Sequence, residues 1–108
     1  MKYHVTDFLP QDEILIQLAE EAAELSQAAL KMRRVLDGKN PTPVGYAQAL
    51  KDLNEEIADV TLCIDLIGCV NFSQVNSTRA WKLKRWISRL LEARRNEDAR
   101  KSALRNRR

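Results

Sequence analysis

The sequence predicts an all-α protein, and two observations carry that reading. Its 108 residues include only three glycines and three prolines, four of these six crowded between Gly38 and Gly45. The long stretches left between such breakers repeat their apolar residues at helical spacing. The expected architecture is a helical bundle of about three main helices per chain, completed by oligomerisation, since three helices of this length make a marginal monomer. A chain of this size buries roughly 60–70% of its unfolded surface, enough for one small core. Residues 1–95 are assigned to one helical domain and 96–108 to a basic C-terminal tail, helical or frayed.

The first helix is expected from Asp12 to about Leu36. Ile14, Leu18, Leu25, Ala29, Met32 and Leu36 fall within a stripe of roughly 60° at about 100° per residue, and Pro10 fits just before the start. The run from Asp37 to Gly45 concentrates turn formers, with Gly38 placed to cap the helix end. A second helix is expected from Tyr46 to Ile67 or Val70. Its later half, Ile57 to Ile67, is apolar nearly all round and should be buried on most sides. Cys63 and Cys69 lie about 120° apart on such a helix, which disfavours a bond between them and suggests two buried free thiols. Gly68 to Ser77 reads as a turn, and a third helix is expected from Thr78 to Arg95, with Leu83, Trp86, Ile87, Leu90 and Leu91 on its apolar side.

The formal charge of +3 conceals a division. Residues 1–78 carry six Lys/Arg against twelve Asp/Glu, a balance of −6, whereas residues 79–108 carry twelve against three, a balance of +9. A basic arm for nucleic acid and a cationic helix serving an anionic site in the same fold are the two readings of this asymmetry. No stretch approaches the roughly 18 apolar residues of a membrane span. Met1-Lys2-Tyr3-His4 leads into Asp12-Glu13 without an apolar signal core, so the expected location is cytoplasmic.

Acids in apolar positions carry the functional signal. Glu21 lies only about 20° from Ile14 and Met32, inside the apolar stripe, and Glu24 follows one turn on. Glu56 and Asp59 repeat the same spacing on the second helix, with Asp59 among Leu62, Cys63 and Leu66. Two carboxylates about 4–5 Å apart repel by roughly 3–4 kcal/mol at an effective dielectric of about 20, so such a cluster calls for a cation. Oxygen ligands from facing helices suit Mg²⁺ or Mn²⁺. The competing reading is structural, with the acids paired to Lys or Arg of the third helix as internal salt bridges. His4 stands alone and is expected at the surface. On the third helix Lys82, Arg85 and Arg89 line one stripe beside the apolar side and suit a clamp on substrate phosphates, or else form a solvated face. Lys31 lies near the Glu20 and Glu24 side of its helix, placed for a salt bridge or a phosphate.

Glu20-Glu21-Ala22-Ala23-Glu24-Leu25, followed by Glu55-Glu56-Ile57-Ala58-Asp59-Val60, resembles the EExxE…ExxD signature of the all-α nucleoside triphosphate pyrophosphohydrolases, the MazG-like superfamily. Lys82-Leu83-Lys84-Arg85 is similar to the basic motif of small, phage-type members, with Arg79 and Lys84 as alternatives to Lys82 in that role. The resemblance covers roughly residues 12–90. It implies a dimeric or tetrameric bundle that hydrolyses a nucleotide between the α and β phosphates, with Mg²⁺ held by the residues matching Glu21, Glu24, Glu56 and Asp59. Glu20 or a neighbouring carboxylate would orient or deprotonate the attacking water. Lys31, Lys82, Arg85 and Arg89 would then bind phosphate. A phosphoribosyl-ATP pyrophosphohydrolase, which shares similar acidic motifs, is one alternative. A non-enzymatic helical protein that binds nucleic acid through its basic C-terminal segment is another.

Overall fold

A computed structural model describes residues 2–39 and 44–107. Asn40 to Pro43 of the expected turn and Arg108 of the basic tail lie outside the described residues. Three α-helices account for most of the chain, α1 over Gln11–Asp37, α2 over Tyr46–Leu66 and α3 over Phe72–Asn106, and the described residues contain no strand. Val5–Asp7 adds a single 3-10 turn, in which the backbone N–H of exposed His4 donates to Asp7 Oδ2 at 2.9 Å. No helix among the described residues is long and apolar enough to cross a membrane. The chain divides into two compact units, Met1–Val70 and Asn71–Arg108. Residues 71–78 carry no charge, so the charge division follows this boundary.

In the first unit α1 begins behind Pro10, whose extended backbone leads in, and ends at Gly38. Gly38 adopts φ 71°, a left-handed conformation that suits glycine, and its N–H donates to the Arg34 carbonyl at 2.9 Å. Ile14, Ala28 and Met32 are buried, and Leu18, Leu25 and Val35 are half-buried. Ala29 and Leu36, expected inside the stripe, are exposed. The buried arc is rotated toward Ala28 and Val35, and its midline runs through Glu21.

α2 buries Ala49 and Cys63. The expectation of burial on most sides from Ile57 to Ile67 does not hold for this chain, since Ile57 and Leu62 are 44% and 57% exposed. Within its unit α2 has one long neighbour, α1, and one neighbour covers one face. The two helices run antiparallel, and Gln11 closes the open end of the hairpin. Its Nε2 donates to the Leu66 carbonyl at 3.3 Å, and its Oε1 accepts from the Gly68 N–H at 2.7 Å. One side chain thus satisfies both an end carbonyl of α2 and the turn that leaves it. Gln11→Ala should lower stability by about 1 kcal/mol and the melting temperature by about 4–8 °C; an unchanged thermal transition would remove this clamp from the account.

The second unit departs further from expectation at its start, because α3 begins at Phe72 rather than Thr78; past Arg95 it continues to Asn106, so the basic tail takes the helical of its two expected forms. Asn71, read as part of a turn, is the N-cap, its Oδ1 accepting from the Gln74 N–H at 3.1 Å. Ser77 stays inside the helix by donating its hydroxyl to the Ser73 carbonyl at 3.0 Å. Toward the other end, Glu97 accepts from Arg100 at 2.7 and 2.9 Å and lies 3.9 Å from Lys101. Such pairs support a helix that has little apolar surface there. No residue of α3 is buried.

Candidate metal centre

Two lines of residues at seven-residue spacing form the middle of the α1–α2 hairpin. Ile14, Glu21 and Ala28 lie along α1, while Ala49, Glu56 and Cys63 lie along α2. A seven-residue step turns only about 20° around a helix, so each line stays on the buried side. Each therefore carries a glutamate between two buried neighbours. Glu21 and Glu56 are half-buried, and Glu24 and Asp59, three residues on, stand at the exposed edge of the same faces. One carboxylate oxygen from each of the four lies within 4.8 Å of the others. Glu20 is exposed and outside this group.

The cluster lacks internal compensation. Gln17 Nε2 donates to Glu21 Oε1 at 2.7 Å, but Glu21 Oε2 and Glu56 Oε2 are shut off from solvent without a hydrogen-bond partner. Among the described residues the ion pairs are those of Glu97, so none of the four acids is in a salt bridge. Within the Met1–Val70 unit, then, none of the four acids is paired with a basic side chain. At 4.8 Å each pair of full charges repels by about 3 kcal/mol at an effective dielectric of about 20. Exposure of Glu24 and Asp59 reduces this to nearer 1 kcal/mol per pair.

The donor set is oxygen. Cys63 stands beside the cluster, but burial pushes its thiol above the ordinary value of 9.0, and the charges of Glu21 and Asp59 add to that. A thiol kept protonated is a poor ligand, and four carboxylates fit a hard divalent cation such as Mg²⁺ or Mn²⁺. Cys69, expected to be buried with Cys63, is exposed because it lies in the turn after α2 and not on the helix. A thiol reagent should therefore modify Cys69 rapidly in the folded protein and Cys63 only on unfolding; two equally fast thiols would contradict the burial. Holding the Cys63 thiol neutral favours the fold below the thiol's ordinary value, and this contribution is lost as pH rises above it. Cys63→Ala should flatten that part of the stability profile.

Glu24 and Glu56 also line an open hollow of about 350 Å³ with Gln27, Ala28, Lys31 and Asp52. Lys31, expected near Glu20 and Glu24, thus shares this hollow with Glu24 and Glu56, and Glu20 does not line it. Asp52 and Gln17 are additions that the sequence reading missed. Both lie four residues before a cluster glutamate, Glu56 and Glu21 respectively, and that spacing was the available signal. Asp52 is held by Gln48 Nε2, which donates to its Oδ1 at 2.7 Å. Lys82, Arg85 and Arg89 belong to the second unit, where they are exposed along α3. The Arg85 guanidinium lies 4.5 Å from the Trp81 ring centre, a cation–π contact that orients it. Comparison of the chain with protein-family models, with curated proteins and with solved structures yields no match.

Proposed function

We propose that the protein is a Mg²⁺-dependent nucleotide pyrophosphohydrolase, cleaving (d)NTP between the α and β phosphates to (d)NMP and pyrophosphate. The observation that carries this reading is the convergence of Glu21, Glu24, Glu56 and Asp59, with two orphaned buried oxygens and no salt-bridge partner within the Met1–Val70 unit. These four would hold Mg²⁺, with Mn²⁺ as a substitute. When bound, such an ion neutralises phosphate oxygens and acidifies a water.

The remaining roles fall to the chain's own side chains. Glu20, close in sequence but outside the ligand set, takes the proton of the attacking water. The new bond forms between that water's oxygen and the α-phosphorus, and the bond to the bridging oxygen breaks. Pyrophosphate departs with the electron pair. Lys31 draws phosphate toward the acidic hollow, and Lys82, Arg85 and Arg89 offset the charge of the leaving group. The proposal includes a homodimer or homotetramer in the cytoplasm. Oligomerisation is supported by the contrast between the six buried hydrophobic residues among the described residues and the exposed Ile57, Leu62, Trp86 and Leu90.

The test is a panel of standard and modified NTPs and dNTPs, together with phosphoribosyl-ATP, incubated with Mg²⁺ and scored for pyrophosphate. Turnover that disappears in Glu56→Ala is expected. No turnover of any compound, or full activity in Glu56→Ala, counts against the proposal, and exclusive turnover of phosphoribosyl-ATP selects the alternative substrate.

A further inference from the structure

From the face of α3 we infer that this helix pairs antiparallel with α3 of a second copy of the chain, in a register that sets residue i opposite residue 176 − i. The inference deepens the homo-oligomer of the proposed function but does not rest on the hydrolase chemistry. It starts from an apolar stripe that its own unit, a single helix, leaves uncovered: Leu83, Trp86, Leu90 and Leu104 are 57%, 65%, 58% and 56% exposed. Leu83, Leu90, Glu97 and Leu104 are spaced by seven, and Phe72, Arg79, Trp86, Ala93 and Arg100 form the complementary line three or four residues away. Together they are the two seam lines of a coiled coil.

The sequence of this seam selects both partner and direction. A parallel pair would set Glu97 against Glu97, Arg79 against Arg79 and Arg100 against Arg100, so three charged layers would repel. Antiparallel pairing in the stated register sets Phe72 opposite Leu104, Leu83 opposite Ala93 and Trp86 opposite Leu90. It also sets Arg79 opposite Glu97 of the second copy, and two-fold symmetry repeats every layer. Sliding one helix by seven residues in either direction places Glu97 against Phe72 or Trp86 and sets a leucine against an arginine. One register therefore matches apolar with apolar and Arg79 with Glu97, and leaves the seam residue Arg100 opposite the neutral Asn76. Glu97 already lies 2.7 Å from its own Arg100, and this contact holds the carboxylate at the seam for the incoming Arg79. Arg89 meets its own counterpart on one flank, where solvent and salt screen the repulsion.

The experiment measures the mass of the full chain by sedimentation equilibrium over a concentration series near physiological salt. The expected parent is an oligomer, and Trp86→Ala should weaken its association about thirtyfold or more, halving the mass at concentrations where the parent is assembled. Helix content should not fall, because Trp86 is largely exposed within the chain. Arg79→Glu and Glu97→Arg should each weaken association about tenfold, and the double exchange should recover most of the loss. A chain that stays monomeric throughout, an assembly indifferent to Trp86→Ala, or a double exchange weaker than both single variants overturns the inference. It is equally overturned if monomeric chain binds anionic vesicles or duplex DNA and Trp86→Ala abolishes that binding.

Discussion

Millimolar Mg²⁺ is expected to raise the melting temperature of the protein, and Glu56→Gln to abolish the rise while making the metal-free protein more stable than the parent. The opposite signs come from one arrangement. Four carboxylate oxygens within 4.8 Å, two of them on half-buried glutamates, repel one another in the absence of a cation. Glu56 sits on the midline of α2 between Ala49 and Cys63, and its Oε2 has neither solvent nor a hydrogen-bond partner. Neutralising it while keeping its shape removes repulsion from three neighbours and the desolvation of one charge. After screening, a gain of about 1 kcal/mol is reasonable, worth about 4–8 °C in a domain of this size. A cation bound only by the fold at a hundred times its dissociation constant would stabilise by about 2.7 kcal/mol. Thermal unfolding of both proteins, with Mg²⁺ and with chelator, reads all four values. A parent indifferent to Mg²⁺, or a Glu56→Gln protein less stable than the parent in chelator, would mean that the cluster is not a strained cation site.

The cluster was legible in the sequence because helical periodicity is a strong signal and carboxylates on an apolar stripe violate it. Glu21 beside Ile14 and Met32 required no tertiary information, and neither did the matched spacing of Glu56 and Asp59. The limits of that logic are visible in the same helices. Whether an apolar residue is covered depends on how many neighbours its helix has, so Ile57 and Leu62 look like core in sequence and are exposed in the chain. The start of α3 was misplaced for a local reason. Asn71, Ser73, Asn76 and Ser77 favour turns by composition, yet one of them caps the helix and Ser77 bonds back to the preceding turn. Gln11 gave no signal, because its two bonds join residues more than fifty positions away in the chain. Cys63 and Cys69 differ in burial because the helix stops between them, a boundary that periodicity does not set.

Activity measurements on four variants should separate holding the cation from moving the proton. If Glu21, Glu24, Glu56 and Asp59 hold Mg²⁺, Glu56→Gln and Asp59→Asn remove charge from the ligand set, and pyrophosphate release should fall about a thousandfold. That fall corresponds to roughly 4 kcal/mol of transition-state stabilisation. More Mg²⁺ should recover part of the loss in Asp59→Asn, whose side chain is at the exposed edge, and less in Glu56→Gln on the buried midline. Glu20 is different in kind, being exposed and outside the ligand group. Glu20→Gln should leave the Mg²⁺-induced rise in melting temperature intact while lowering kcat by about a hundredfold, the usual scale for a lost general base. Lys82→Met should instead raise KM with a smaller effect on kcat, as expected when a charge contacts phosphate in the ground state as well as the transition state. The decisive comparison is between Glu20→Gln and Glu56→Gln. Loss of activity with retained cation binding in the first, and loss of both in the second, supports distinct roles for adjacent acids. If Glu20→Gln also loses the Mg²⁺ response, Glu20 belongs with the ligands and the proton must go to another carboxylate.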